Sequence, residues 1–96
     1  MKVYVLNLSD DKYYVGTSEN VEQRIKQHFD GYGSSWTKKY KPIETVEVID
    51  NCDKFDEDKY TKQYMLKYGI DNVRGGTYCE NNIDFFFTFF SVNLMV

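Results

Sequence analysis

The chain has 96 residues, of which 42 % are apolar and 18 % aromatic, and it carries a net charge of −3. That length builds one small domain with a core but little surplus stability. The negative balance argues against a binder that holds nucleic acid by bulk positive charge. Nine tyrosines outnumber seven phenylalanines, so many core rings carry a hydroxyl that needs a partner.

The charge is unevenly spread. Residues 1–41 hold seven Lys/Arg against five acids, a net of +2, while residues 42–96 hold five against ten, a net of −5. Any DNA contact therefore falls on a local patch, and "TKKYKP" is the place for one; charge alone fits a mixed solvated surface equally well. Cys52 and Cys79 lack close spacing, and with a single histidine they make no Cys/His zinc site. Reduced thiols and an intracellular location, cytoplasmic or nuclear rather than secreted, are expected, since no signal peptide precedes the first strand. The uncharged "FFFTFFSVNLMV" is too short to span a bilayer, so no membrane partner is expected.

In chain order, "KVYVLNLSDDKYYVG" reads as two β runs around the polar turn "SDD". Two registers are open. A three-residue loop pairs Leu8 with Lys12 and puts Tyr4 and Tyr14 on one face; a two-residue loop puts them on opposite faces. Ser18 as N-cap and Gly31 as stop predict a helix over about Glu19 to Phe29, with Val21, Ile25 and Phe29 as its buried stripe. Arg24 and His28 fall just beside that stripe, at the sheet boundary. "GYGSSWTKKYKP" reads as a loop, "IETVEVI" as a third strand with one wet face, and Phe55 to Tyr68 as a helix with Tyr60, Tyr64 and Tyr68 in one row.

Helical geometry puts Glu57 within that tyrosine row, with Thr61 on the same side and Asp58 about 100° further round. A lone inward carboxylate among aromatic rings needs a cation or hydrogen bonds. "IDNVRGG" and "CENN" follow as turns, giving residues 1–80 as the domain and 81–96 as an aromatic-rich tail. The tail is expected to pack, or to mediate self-association.

Two tyrosines, an arginine–histidine pair and one inward glutamate suit phosphodiester hydrolysis. Arginine offers a fork of donors to phosphate, a carboxylate can hold a divalent cation, and tyrosine can pass protons if a cation lowers its pKa from about 10. In order, "KVY" with Tyr4, "YVG" at Tyr14 to Gly16, "NVEQRIKQH" and "NVRGG" after "KYG" resemble a stand-alone GIY-YIG nuclease domain across residues 2–78. The last motif is similar to a small-nuclease branch often found in viruses or mobile elements.

The resemblance implies an α+β fold, a three-stranded antiparallel sheet flanked by helices, that cuts DNA with one divalent ion, Mg²⁺ or Mn²⁺. It implies Tyr4 as general base or water-orienting hydroxyl and Tyr14 on the water or scissile phosphate. Arg24 would stabilise the phosphate's developing charge, His28 would support it, and Glu57 would ligate the metal. Lys2 and Val3 replace the first two residues of the name motif. A common family spacing puts the metal-binding glutamate at Thr61, whereas facing direction favours Glu57. Trp36, Lys38, Lys39 and Lys41 either track DNA backbone, with the ring free to stack on a base, or anchor the tryptophan in the core. Arg74 is a further phosphate contact, in a segment whose glycines serve a tight turn. The readings that compete with an endonuclease are a nucleic-acid-binding module of the same fold without activity, and a protein-interaction module using the tail.

Overall fold

The choice of hairpin register decides which face each tyrosine takes, and the three-residue loop is the one formed. In the computed structural model, which describes residues 1–78, strand β1 (Lys2–Leu8) pairs antiparallel with β2 (Lys12–Ser18). Leu8 lies opposite Lys12, Leu6 opposite Tyr14 and Tyr4 opposite Gly16. The turn is a single helical twist over Ser9–Asp11 in which Asp10 and Asp11 take φ of +59° and +57°. Aspartate tolerates that left-handed region better than most residues.

Both central strands are covered on both faces, which explains their near-continuous apolar runs. Val3, Val5 and Val15 point to one side with Met65, Val73 and Tyr78; Tyr4, Leu6, Leu8 and Tyr14 point to the other with Val21 and Trp36. The second side is closed by α1 (Val21–Phe29) and a short α2 (Ser35–Lys39). The first is closed by α3 (Lys54–Tyr68), whose N-terminus is a reciprocal capping box between Asp53 and Asp56.

Strand β3 (Pro42–Ile49) pairs antiparallel with the outer side of β1, with register shifts near Leu6 and Leu8. It forms an edge, and Ile43, Val46 and Val48 remain exposed. The sheet has a fourth strand that the sequence did not announce. Residues Val73–Gly75 form β4 and run parallel to Tyr13–Val15 of β2, so the sheet is mixed, in the order β3-β1-β2-β4. Three residues, the last of them the first of a glycine pair, are too few to show a period of two. This strand exists because α3 returns the chain beside β2.

Smaller differences have similar causes. Helix α1 starts at Val21 under an Asn20 cap, whose side chain accepts from the Gln23 N–H, while Ser18 Oγ accepts from the Asn20 N–H. Phe29 is exposed and His28 takes its place in the core. The "GYGSSWTKK" segment is partly helical, with Ser34 capping α2 by accepting from the Thr37 N–H. Residues 81–96, and with them the expected boundary at residue 80 and the tail's role, lie outside the described residues.

Candidate active site

Four elements supply the site residues. Tyr4 comes from β1, Tyr14 from β2, Arg24 and His28 from α1, and Glu57 from the first turn of α3. The rings of Tyr4 and Tyr14 lie 6.3 Å apart, and each is tilted against the His28 ring at 5.6 and 4.8 Å. This cluster rests on the hairpin register, because a one-residue slip would send Tyr4 and Tyr14 to opposite faces.

Gly16 is fixed by close approach. A Cβ there would stand 2.4 Å from Tyr4 Oη and 3.0 Å from Tyr14 Cε2. The "YVG" glycine is therefore the space into which the Tyr4 hydroxyl fits.

Tyr4 is 1 % exposed and His28 fully buried. Tyr4 Oη lies 2.7 Å from His28 Nε2, and His28 Nδ1 lies 2.8 Å from Thr37 Oγ1. Burial, with Tyr14 beside it, pushes the Tyr4 hydroxyl well above its ordinary pKa of 10.0, and the charge of Arg24 and a hydrogen bond from it act in the opposite sense. The same desolvation, helped by Arg24, lowers His28 from 6.5 to about 4, so the ring is neutral near pH 7. The resemblance implied Arg24 on a phosphate and His28 in support. The fold gives the two different surroundings: His28 is buried against Tyr4, while Arg24 is half-exposed, with its Nη1 donating to Gln27 Oε1 at 2.9 Å. Among the described residues Arg24 forms no ion pair with Glu57.

Glu57 is half-buried, and Thr17 Oγ1 donates to its carboxylate at 3.1 Å. Burial raises its pKa, the Thr17 hydroxyl opposes that, and neighbouring Asp58 adds to the rise. The charge of Glu57 also acts on the Tyr4 hydroxyl, which places both groups in one electrostatic environment. Thr61, the position picked out by family spacing, is fully buried, and its hydroxyl donates to the Glu57 carbonyl at 2.7 Å. Asp58 is occupied elsewhere, accepting from both the N–H and the hydroxyl of Thr77.

The residue order and the model of the GIY-YIG catalytic domain coincide: that model matches residues 1–72. The chain belongs to the GIY-YIG family. Relatives include a UPF0213 protein of Syntrophus aciditrophicus, 38 % identical over 52 residues, covering 51 % of this chain and 60 % of the relative. Another, from Natronomonas pharaonis, is 41 % identical over 44 residues, covering 46 % and 52 %. A third, from Clostridium perfringens, is 31 % identical over 67 residues, or 68 % of each chain. The match thus spans little more than half the length of the first two. All three are bacterial or archaeal proteins, not viral ones. No solved structure matches significantly.

Within this GIY-YIG domain the expected nucleic-acid contacts divide. Trp36 is 2 % exposed; its Nε1 donates to the Tyr13 carbonyl at 2.9 Å and its ring packs on Tyr40, so it anchors α2 and is not free to stack on a base. Arg74 is also buried, over the Trp36 ring, donating to the Ile70 and Val73 carbonyls, so it is not a surface phosphate contact. Lys38, Lys39 and Lys41 are exposed. Sequence reading missed Thr37 as a site residue; nothing in the spacing of nine residues after His28 marks it. No helix among the described residues is long and apolar enough to cross a membrane.

Proposed function

We propose that this domain is a metal-dependent endonuclease that hydrolyses DNA phosphodiester bonds. The observation that carries the reading is the convergence of Tyr4, Tyr14, Arg24 and Glu57 around one buried hydroxyl. Arg24 is the half-exposed cation at that hydroxyl, and its forked donors suit the charge that develops on a phosphoryl group. Tyr4, held as a neutral phenol by burial, orients a water rather than removing its proton outright. Tyr14 faces the same water or the phosphate.

A half-buried carboxylate with one hydroxyl donor and a raised pKa gains from a neighbouring cation, and Mg²⁺ is commonly held by one or two carboxylates plus waters and substrate phosphate. Glu57 fits that pattern and is the residue that would hold the ion. Bound there, Mg²⁺ or Mn²⁺ would polarise a phosphoryl oxygen. Lys38, Lys39 and Lys41 supply a local positive patch for the DNA backbone on an otherwise acidic chain. Among the described residues no group of three or more His, Cys, Asp or Glu side chains could hold a metal by itself, so waters and substrate phosphate would complete the shell of an ion held at Glu57.

The test is supercoiled-plasmid cleavage with Mg²⁺ or Mn²⁺, comparing wild type with Glu57→Gln and an EDTA control. Metal-dependent nicking that Glu57→Gln removes supports the assignment. DNA binding that survives EDTA with no cutting across metals and substrates would replace it with a nucleic-acid-binding module.

A further inference from the structure

The hydrogen bonds behind Tyr4 form a chain whose direction can be worked out. Tyr4 Oη is 2.7 Å from His28 Nε2, His28 Nδ1 is 2.8 Å from Thr37 Oγ1, and Thr37 Oγ1 is 3.2 Å from the Ser34 carbonyl. A neutral imidazole carries one proton and a threonine hydroxyl carries one, so each link must have a donor and an acceptor.

The Tyr4 end fixes the rest. At 1 % exposure its phenolic proton needs a protein acceptor. Tyr14 and Glu57 act on that oxygen through their charge, and the other side chain that hydrogen-bonds to it is Arg24, which can only donate. Among the described residues, His28 Nε2 is therefore the acceptor open to the Tyr4 proton, and it must be unprotonated. The ring proton then sits on Nδ1 and donates to Thr37 Oγ1, and the threonine proton goes to Ser34, whose carbonyl and hydroxyl oxygens lie 3.2 and 3.3 Å away. The opposite tautomer leaves a buried phenol donor unsatisfied, which is the costlier arrangement.

We infer that Thr37 is a positioning residue: it fixes His28 in the Nδ1–H tautomer and so aims the Tyr4 proton inward. With that proton tied to His28, the lone pairs of Tyr4 Oη are left to accept from Arg24 and from an incoming water. Gly33 serves the same arrangement, because a Cβ there would stand 2.0 Å from His28 Nδ1 and 2.6 Å from Thr37 Oγ1. The catalytic consequence rests on the nuclease reading above; the tautomer does not.

The experiment exploits the single histidine. Two-bond ¹H–¹⁵N spectra of the ¹⁵N-labelled protein at pH 7.5 report which ring nitrogen is protonated, with no assignment problem. Wild type is expected to show a protonated Nδ1 and a bare Nε2. Thr37→Val, which keeps the shape and removes the acceptor, should shift the ring toward Nε2–H, and Thr37→Ser should restore the wild-type pattern. In metal-dependent plasmid cleavage Thr37→Val should lose roughly 10- to 100-fold, the range for partners that orient a working side chain from behind, with Thr37→Ser close to wild type.

A bare Nδ1 in wild type overturns the inference, and so does a Thr37→Val spectrum identical to wild type. If Thr37→Val fails to fold, the wild-type tautomer and Thr37→Ser still decide it. Full cleavage by a Thr37→Val protein whose tautomer has switched removes the positioning role. Absence of cleavage by wild type, with the expected tautomers, removes the nuclease reading and leaves the hydrogen-bond chain standing.

Discussion

Acidification should destabilise this domain through His28, and the size of the effect follows from its surroundings. The ring is fully buried and faces the Tyr4 hydroxyl, the Tyr14 ring, Thr37 and the Arg24 charge. On its far side Lys38 and Lys41 share a cleft with it; Asp30 lines the same cleft but is held by Lys26 at 2.7 Å. Little there favours an imidazolium. The unfolded chain takes up a proton near pH 6.5, whereas the native ring does so only near pH 4. Between those values the unfolded state binds more protons, so stability falls as pH falls; above 6.5 the term vanishes, and below about 4 the loss is complete. A drop from 6.5 to about 4 corresponds to roughly 3 kcal/mol in full and about 2 kcal/mol at pH 5, a large share of the ~5–15 kcal/mol of a small domain. Glu57 works in the opposite direction, since its raised pKa lets the native state bind that proton first. Urea unfolding of Glu57→Gln at pH 7.5 and pH 5 therefore isolates the histidine term, and the ring C–H resonances give the native titration directly. A native midpoint near 6.5, or equal stability at the two pH values, would refute the reasoning.

Three further outcomes are expected. Gly16→Ala forces the Tyr4 ring to move, since the added Cβ would meet its hydroxyl at 2.4 Å; the cost should be about 1–3 kcal/mol in urea unfolding, with cleavage lost even where the variant is folded. Arg24→Ala should leave the thermal midpoint within a few degrees of wild type yet reduce plasmid cleavage by about 10²–10³, the scale of one preorganised transition-state contact; wild-type rates would remove Arg24 from the site. Trp36→Ala should cost about 3–5 kcal/mol by emptying the space between Tyr40, Arg74 and β2, whereas a ring used mainly for base stacking would leave stability unchanged.

What could be read in the sequence was what local chemistry and period control. The hairpin, the two main helices, the third strand and the four chemistry-bearing residue types all follow from alternation, four-residue spacing and the order of short motifs. Each is a property of neighbours in the chain. Even the Tyr4–Tyr14 juxtaposition was legible up to a choice between two loop lengths, because a period of two makes the face of every residue depend on one integer.

The tertiary structure decided what depends on partners far apart in sequence. β4 is a strand because β2 lies beside it, and its three residues carry no period of their own. Whether Trp36 anchors the core or meets DNA was open in the sequence, and Arg74 read as a surface contact, yet both are buried: the indole bonds the Tyr13 carbonyl and packs on Tyr40, and Arg74 lies over its ring. His28, placed at the sheet boundary by its spacing, is fully buried for a like reason. One turn of helix sets its distance from Arg24, but only the packing of α1 and α2 against the sheet brings Tyr4 and Thr37 to its two nitrogens. The sequence by itself determined which chemical groups are present and in what order. The fold determined which of them lose water, and loss of water is what turns a tyrosine, a histidine and a threonine into a directed chain of hydrogen bonds.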